Sequence, residues 1–513
     1  MGWSSALSPV RRSARPNVIN VQSTFAGREI LLTGGGGFLG KVVLGLLLDR
    51  YPEVGRVHVL LRRSRGRSAE QRFAEDVLGS PALRPLLEGG GRERFAERVR
   101  VWEGDASDPL CGLDPAALPG VSLIIHCAGL VEFFPPVDEA LKANVEATEN
   151  VADLAEALGA ALTHISTCYV AGRADGLIEE DEPIEGFYPR RMGEDDRAFD
   201  AAAELAILRE RVAEMTDGGV RRDRRALEQL TRLGRERAER WGWVNAYTYT
   251  KSLAEQTLVA RRGLRKTIVR PAIVESARRF PFPGWVEGGR TAAPLVLMAL
   301  SGMRDWPARP DLALEIVPVD LIAAGILIAS ALLLEGAADP VYHLASADVN
   351  PYPMEPLLAL LAEEARRRNP KGFRGAPRLL DGPGYERATQ RAKQRAETLE
   401  KLFQTWGRRL QGAGLPGSKA LSARAVEMRK LGLQASFRED VIDQYLPFVL
   451  ENAYVFEAAN IRRGVGLLSA ADREKLAWDP ETIDWPRYWR EQQIAGVLEW
   501  VQPETVRDWS FQI

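Results

Sequence analysis

A glycine-rich turn between an apolar strand and a helix is the feature that most constrains the fold. Residues 28–51 read REILLTGGGGFLGKVVLGLLLDRY, so that four glycines separate a short apolar run from a helical pattern. In the spacing Gly-x-x-Gly-x-x-Gly, Gly34 permits a tight turn and Gly37 lets a diphosphate approach the backbone, while Gly40 lets the helix pack close to the sheet. Because a helix N-terminus favours anions, this turn predicts a dinucleotide-binding site.

Further short apolar runs follow the glycine turn, with helical patterns between them. The runs are GRVHVLLRR, RVRVWEGDA, VSLIIHCAG, ALTHISTCYV and KTIVRPAIV. Apolar strands that alternate with helices are typical of a parallel sheet covered by helices on both faces. We therefore expect an α/β fold with a doubly wound, Rossmann-like sheet over residues 28–350. The chain has 513 residues, of which 45% are hydrophobic, so it is long enough for two domains or more.

Other regions depart from this alternation. Residues 176–242 are charged and contain helical patterns such as AAELAILRERVAEM, which predicts a helical insertion in the sheet domain. Residues 351–513 predict a mostly helical C-terminal domain, and residues 1–27 are expected to be a flexible N-terminal segment. The basic stretch 385–411 predicts a solvated helix face, with a surface for acidic groups or lipid head groups as the alternative.

Composition excludes several classes of function. The formal net charge of −2 provides no overall basic field, so a nucleic-acid partner is not expected. Three cysteines and four histidines are scattered without ligand spacing, which argues against a metal site or a disulfide scaffold. The apolar run 321–334 is shorter than the ~18 residues of a membrane span and predicts a buried helix. We expect a cytoplasmic protein, and peripheral membrane contact remains an open alternative.

Two tyrosines precede one lysine in the stretch NAYTYTKSLAEQ, residues 245–256. Residues four apart share a helix face, so Tyr247 can lie beside Lys251, whereas Tyr249 points elsewhere. A neighbouring ammonium favours the phenolate and lowers the pKa of a tyrosine below its usual value of about 10. Such a phenol can donate a proton to a reduced carbonyl oxygen. Alone, this spacing is also common in ordinary surface pairs.

A strand-end hydroxyl makes the tyrosine–lysine pair more specific. The run HISTCYVAG places Ser166 and Thr167 where a strand ends. Ligands of parallel sheets bind at the carboxyl ends of the strands, so Thr167 can hydrogen-bond the same carbonyl oxygen that Tyr247 protonates. Thr167, Tyr247 and Lys251, in this order after a glycine turn, indicate one reducing site.

Basic residues follow the second strand, where sites for NAD usually have an acid. Arg62 and Arg63 occupy that position, and arginine can pair with the 2′-phosphate of NADPH. We therefore expect NADPH as the cofactor, with Arg62 as the main contact. Asp105 follows the third strand and can accept a hydrogen bond from the adenine amino group.

Taken together, these segments resemble the alcohol-forming fatty acyl-CoA reductases, a branch of the extended short-chain dehydrogenase/reductase superfamily related to the male sterility proteins. The matching pieces are LLTGGGGFLGKVVL, HVLLRR, ISTCYVAG, YTYTKSLAEQ, TIVRPAIVESARRFPFPGWVEG and EIVPVDLIAAGILIA. The resemblance covers most of residues 28–345 and is thinner from 351 onward. It implies NADPH-dependent reduction of a long-chain acyl-CoA to a fatty alcohol through an aldehyde, without a metal. Acyl carrier protein is an alternative acyl donor.

The resemblance also implies roles for individual residues. Thr167, Tyr247 and Lys251 would form the catalytic set, with Ser166 as a further candidate. The cofactor-binding residues would be Thr33, Gly34, Gly37, Phe38, Leu39, Gly40, Arg62, Arg63, Asp105, Ala128, Pro271 and Ile273. The acyl chain needs an apolar tunnel, which we expect the insertion 176–242 and the aromatic segment 445–456 to supply. The oligomeric state is left open.

Three other functions are weighed against this one. A reductase that stops at the aldehyde would use the same residues. A sugar-nucleotide epimerase or dehydratase is disfavoured, because Thr167 and Tyr247 are 80 positions apart, much farther than is usual in such enzymes. A catalytically inactive binding protein is disfavoured because threonine, tyrosine and lysine are all present.

Overall fold

A wholly parallel seven-stranded sheet forms the centre of the protein. The computed structural model describes residues 18–64, 66–88, 91–190, 199–219, 222–289, 292–370 and 375–501. The strands are Glu29–Thr33 (β1), Val57–Leu61 (β2), Val99–Glu103 (β3), Val121–His126 (β4), Ala161–Ile165 (β5), Lys266–Pro271 (β6) and Val341–Leu344 (β7). Their order across the sheet is β3-β2-β1-β4-β5-β6-β7. The doubly wound parallel sheet expected from the sequence is confirmed.

Helices cover both faces of the sheet. The longer ones are Phe38–Arg50 (α1), Gly91–Arg98 (α2), Ala147–Leu158 (α3), Ala201–Thr216 (α4), Arg224–Trp241 (α5), Ala246–Ala260 (α6), Ala293–Leu300 (α7), Val319–Leu334 (α8), Met354–Arg368 (α9), Gly382–Gly412 (α10), Ser418–Leu446 (α11) and Ala459–Leu467 (α12). On one face Leu31 and Ile124 share an apolar cluster with Val151 of α3. On the other, Leu32 shares a cluster with Leu327 of α8. Burial on both faces explains why the strands are continuous apolar runs.

Short elements connect these parts. Short helices span Val21–Phe25, Ala69–Arg72, Phe73–Val77, Pro81–Leu83, Arg84–Leu87, Pro109–Gly112, Pro115–Ala117, Val137–Ala140, Leu141–Glu146, Cys168–Ala171, Pro447–Glu451, Ala470–Lys475, Pro480–Thr482, Trp485–Tyr488, Trp489–Gln493, Ile494–Gly496 and Val497–Val501. Within the described ranges, three parallel strand pairs lie outside the main sheet: Ile273–Glu275 with Ile316–Pro318, Asp305–Pro307 with Arg378–Leu380, and Gly176–Ile178 with Tyr454–Phe456.

The longest apolar run of the sequence forms α8, whose residues 319–333 are all buried. It lies against the sheet, so the expected buried helix is confirmed. Within the described ranges, the chain has no helix that is both long enough and apolar enough to cross a membrane.

The start of the chain is partly packed. Of the segment 1–27, residues 1–17 lie outside the described residues. The remainder is not loose, because Val21–Phe25 is helical and its first N–H donates to Asp472 Oδ2 at 2.9 Å. Phe25 is buried edge-on against Tyr51, with ring centroids 5.5 Å apart. The expectation of a flexible segment is therefore wrong for residues 18–27, which a distant part of the chain holds in place.

The described residues of 176–242 are mainly helical as predicted, with α4 and α5 as their main elements, and residues 191–198, 220 and 221 lie outside the described ranges. A buried polar group fixes it to α6: the Tyr249 hydroxyl donates to Glu204 of α4, and Arg237 of α5 donates to the same carboxylate. The insertion is thus fixed against the helix that carries the tyrosine–lysine pair.

The described residues beyond 350 share one apolar core with the sheet, and the members of this core extend along the sequence from Ile19 to Val501. Buried Glu315 contributes to this joining, since its Oε1 accepts the Phe456 N–H at 3.0 Å and its Oε2 accepts the Ser346 N–H at 3.2 Å. Burial raises the pKa of Glu315 to about 7. The division of the chain near residue 350 stays a prediction.

Candidate active site

The glycine turn has a geometry that larger residues cannot adopt. Gly34 has φ of +73°, and a Cβ there would lie 2.6 Å from the backbone nitrogen of Ala128. A Cβ on Gly40 would overlap the carbonyl oxygen of Gly34. Gly37 is the N-cap of α1, and no side chain caps this helix. The N–H groups of the first helical turn have no partner within the helix and face the glycine turn. The turn therefore fits a diphosphate held by backbone N–H groups.

Thr33 supports the turn from behind. Its Oγ1 lies 2.7 Å from His126 Nδ1 and accepts the Ala128 N–H at 3.3 Å. Thr33 is absent from the residues that line the cavity beside the turn, and its side chain fixes the spacing between the ends of β1 and β4.

Helix α6 places Tyr247 and Lys251 on the same side, toward the end of β5. The helix begins where the Asn245 Oδ1 accepts the Thr248 N–H at 2.9 Å. One turn later, the Lys251 ammonium donates to the carbonyl oxygen of Ile165 at 2.7 Å. Tyr249 instead contacts the insertion. The spacing argument that separates Tyr247 from Tyr249 is therefore confirmed in its geometry.

A single cavity of about 370 Å³ brings most of the predicted residues together. Its lining includes Thr167, Tyr247, Lys251, Gly34, Gly37, Phe38, Leu39, Gly40, Ala128, Pro271 and Ile273. The glycine turn lies at one end and the strand-end hydroxyls lie beside α6. Four predicted cofactor residues, Thr33, Arg62, Arg63 and Asp105, are outside this lining.

Two hydroxyl residues at the end of β5, Ser166 and Thr167, line the same cavity as Tyr247. The Thr167 side chain is hydrogen-bonded to Tyr247, and its Oγ1 lies 3.4 Å from the Pro271 carbonyl oxygen. Ser166 Oγ is buried and has no hydrogen-bond partner among the described residues. Ser166 also lines the cavity, so that three residues with hydroxyl groups, Ser166, Thr167 and Tyr247, border the same space.

The phenol is less acidic than the sequence suggested. Burial raises the pKa of Tyr247 to about 12, although the hydrogen bond from Thr167 opposes the shift. Burial also lowers the pKa of Lys251 to about 8, against the effect of the Glu255 carboxylate. The expected lowering of the Tyr247 pKa by Lys251 is therefore wrong, because burial raises this pKa and the Lys251 ammonium donates to the Ile165 carbonyl oxygen. At neutral pH the phenol holds its proton and the lysine is charged.

Asn144 is a site residue that the sequence analysis missed. Its Oδ1 accepts the Leu130 N–H at 2.8 Å, and its Nδ2 donates to Thr250 Oγ1 at 3.0 Å. A Cβ on Gly129 would lie 3.1 Å from Asn144 Oδ1 and 3.8 Å from Lys251 Nζ. Asn144 thus fixes the chain after β4 next to the lysine. The available signal was a buried asparagine inside a helix, where that residue is unfavourable unless its amide is used.

The two arginines after β2 are in different environments. Arg63 donates to Glu103 Oε1 from Nε at 3.0 Å and from Nη2 at 2.9 Å, so that carboxylate already engages it. The Arg62 side chain is 69% exposed, and its Nη1 is 4.0 Å from Asp105 Oδ2. Arg72, which the sequence analysis did not single out, donates from Nη1 to the Arg62 carbonyl oxygen at 2.8 Å. Arg62 is the more available of the two predicted side chains.

Aromatic residues from the C-terminal region form the apolar wall of the cavity. Tyr445 and Phe448 line it, and the Phe448 ring is 5.4 Å from Phe133 and 4.9 Å from Tyr169. The described residues of 176–242 contribute no side chain to this lining, because α4 and α5 pack outside α6. For this cavity, the expected contribution of the insertion is wrong, whereas the segment 445–456 does supply part of the wall.

Comparison with known proteins agrees with the sequence resemblance. A family model described as male sterility protein matches residues 32–326. The chain is 28% identical over 491 residues to probable fatty acyl-CoA reductase 4 of Arabidopsis thaliana, covering 92% of this chain and 97% of that protein. It is 26% identical over 495 residues to the alcohol-forming fatty acyl-CoA reductase of Simmondsia chinensis, with the same coverage of each.

Solved structures of similar fold include reductase domains. The reductase domain of a non-ribosomal peptide synthetase from Mycobacterium tuberculosis has a TM-score of 0.53 at 18% identity, covering 95% of this chain and 96% of that one. The terminal R domain of the myxalamid PKS-NRPS pathway has a TM-score of 0.52 at 19% identity, covering 91% and 93%. These likenesses support the extended short-chain dehydrogenase/reductase fold. Since the NAD-binding family model matches more than half of its residues, the chain belongs to the male sterility protein family.

Proposed function

We propose that this protein uses NADPH to reduce a long-chain fatty acyl-CoA to the fatty alcohol, by way of the aldehyde. The observation that carries the proposal is the single cavity in which the glycine turn, Thr167, Tyr247 and Lys251 adjoin an aromatic apolar wall. The names of the similar proteins, which are fatty acyl-CoA reductases, point the same way. Acyl carrier protein is the alternative acyl donor.

The cofactor would lie across the carboxyl ends of the central strands. The N–H groups that follow Gly37 would hold the diphosphate, and Pro271 with Ile273 would flank the nicotinamide. Arg62 would pair with the 2′-phosphate and Asp105 with the adenine amino group. When bound there, the cofactor supplies hydride to the acyl carbonyl carbon.

The hydroxyl groups act on the carbonyl oxygen. As negative charge develops on that oxygen, Thr167 and Tyr247 donate hydrogen bonds to it, and preorganised donors of this kind contribute about 3 kcal/mol each. The free hydroxyl of Ser166 is placed to add a third. Loss of the thiol from the first tetrahedral product leaves the aldehyde, whose oxygen accepts hydrogen bonds from the same donors.

The second reduction needs a proton on oxygen. With a pKa of about 12, the Tyr247 phenol keeps its proton at neutral pH and remains more acidic than an alcohol. Proton transfer from Tyr247 to the alkoxide is therefore favourable, which makes this residue the general acid. The Lys251 ammonium donates to the Ile165 carbonyl oxygen and so keeps the end of β5 in place beside Tyr247.

The aromatic wall suits an acyl chain. Phe133 contacts both Tyr445 and Phe448, and these rings offer apolar surface next to the reacting carbonyl. Burying a methylene group against such surface contributes about 0.8 kcal/mol, so a long chain would be retained between the two reductions.

The proposed reaction is tested with purified protein, NADPH and palmitoyl-CoA. NADPH oxidation is followed by absorbance, and the product is identified by chromatography. We expect two NADPH oxidised per thioester and hexadecanol as the product. One NADPH per thioester with accumulation of hexadecanal would identify an aldehyde-forming enzyme, and the absence of NADPH oxidation with acyl-CoA or acyl carrier protein substrates would contradict the proposal.

Tyr247→Phe tests the general acid. Removing the phenolic proton should lower kcat by a factor of about 10³, a typical contribution of general acid catalysis, while fluorescence titration shows that NADPH still binds. Tyr249→Phe is the matched control, because that hydroxyl contacts Glu204 and not the cavity. We expect the control to keep most of its activity. A Tyr247→Phe enzyme within a few-fold of the wild type would remove Tyr247 from the mechanism.

Arg62→Ala tests the cofactor preference. Loss of a charge-assisted contact with the 2′-phosphate should raise KM for NADPH roughly tenfold and leave KM for NADH unchanged. In the control Arg63→Ala the effect should be smaller, since Glu103 already engages that side chain. Steady-state kinetics with each cofactor give these KM values. An equal effect of Arg62→Ala on the KM for NADPH and for NADH would contradict the proposed contact of Arg62 with the 2′-phosphate.

A further inference from the structure

A long helical hairpin, formed by α10 and α11, bears an unusual surface. Residues 391–433, here called the tip segment, include most of its length. Twelve large apolar side chains are exposed in the described parts of the chain, and seven of them lie in the tip segment. The most exposed include Leu402, Trp406, Leu415, Val426 and Leu433. So much exposed apolar surface in one segment is typical of a site that binds a membrane or another protein.

The tip segment is also strongly basic. It contains ten lysine and arginine residues against three glutamates, a formal charge of +7, whereas the whole chain carries −2. The charge becomes acidic toward the base of the hairpin, where Glu439, Asp440 and Asp443 lie near the C-terminal end of α11. Cationic charge is therefore concentrated with the exposed apolar groups.

The apolar side chains of α10 face away from the hairpin interior. Leu399, Leu402 and Trp406 are spaced by three and four residues, so they share one helix face. A different face packs on α11, where buried Gly407 approaches so closely that a Cβ on it would lie 3.4 Å from Ser422 Oγ. Trp406 is 50% exposed, and the Arg409 guanidinium lies 5.5 Å from its ring. An exposed indole beside basic groups and leucines is the pattern of helices that lie in a bilayer interface.

We propose that the tip segment docks this protein on an anionic lipid surface. Its charge attracts acidic head groups, and the leucine and tryptophan side chains enter the boundary between head groups and acyl chains. A second copy of this chain is a poorer occupant, because two tips of charge +7 would repel each other. An acidic carrier protein would match the charge but would leave the face of Leu399, Leu402 and Trp406 without an apolar environment.

The hairpin connects this surface to the cavity. Near the base of α11, Arg438 donates to Ser301 Oγ at 3.2 Å, and Tyr445 in the last turn lines the cavity. Docking would therefore place a helix of the cavity wall on the lipid surface. The docking itself does not depend on the proposed reaction.

Vesicle flotation with the full-length protein tests the proposal. Vesicles of phosphatidylcholine alone are compared with vesicles that also contain phosphatidylglycerol. We expect the wild type to float with the anionic vesicles, and less so as salt is raised, since screening weakens the attraction. The double variants Leu402→Ser/Trp406→Ser and Arg408→Glu/Arg409→Glu should each bind at least about tenfold more weakly.

The matched control carries the same kinds of change on the insertion. Ile207 and Arg224 are exposed on α4 and α5, so Ile207→Ser/Arg224→Glu should float as the wild type does. Circular dichroism confirms folding of every variant. Palmitoyl-CoA reduction without vesicles should be unchanged in the tip variants, which separates loss of docking from failure of the proposed reaction.

Several results would overturn the proposal. They are the absence of flotation with anionic vesicles, or tip variants that float like the wild type. A raised KM for acyl-CoA in the charge variant with unaltered flotation would instead assign the basic residues to CoA. Tip-dependent binding of an acidic carrier protein, or tip-dependent dimers in size-exclusion chromatography, would overturn it if vesicles do not bind.

Discussion

The hydrogen bond from the Lys251 ammonium to the Ile165 carbonyl oxygen is the contact on which the candidate site depends. This hydrogen bond of 2.7 Å connects α6 to the end of β5. Lys251 lies one helical turn after Tyr247, and Ile165 lies two residues before Thr167. A buried cation is costly unless it is paired or hydrogen-bonded, so this contact both anchors the lysine and fixes the spacing between phenol and hydroxyl. Asn144 supports the same region by holding the chain after β4.

Around this contact, parts of the chain that are far apart in sequence meet in one cavity. The glycine turn follows the end of β1, and the hydroxyl residues Ser166 and Thr167 follow the end of β5. Because parallel strands have their carboxyl ends at one edge of the sheet, both features border the same cavity. The C-terminal region closes the cavity with Tyr445 and Phe448. Polar donors and apolar wall thus come from different parts of the fold, and the buried hydrogen bonds of Glu315 help to hold those parts together.

Local sequence patterns were sufficient to predict much of the fold and several residues of the candidate site. Strand and helix periodicity predicted the sheet, glycine spacing predicted the turn, and helical spacing distinguished Tyr247 from Tyr249. What the sequence could not provide depends on three-dimensional burial and on distant contacts. The pKa of Tyr247 rises because burial removes water from the phenol and the hydrogen bond from Thr167 does not offset this effect, which no spacing reveals. The packing of Val21 follows from Asp472, 451 positions away, which no local pattern indicates.

The most direct test of the account is the pH dependence of kcat/KM for NADPH-dependent palmitoyl-CoA reduction. Burial lowers the pKa of Lys251 to about 8, so the ammonium is present below that pH and is lost above it. Tyr247, with a pKa of about 12, keeps its proton throughout this range. We therefore expect kcat/KM to fall as pH rises through about 8. A profile that stays level up to about pH 10, where an ordinary lysine titrates, would contradict the buried Lys251 cation at the centre of the site.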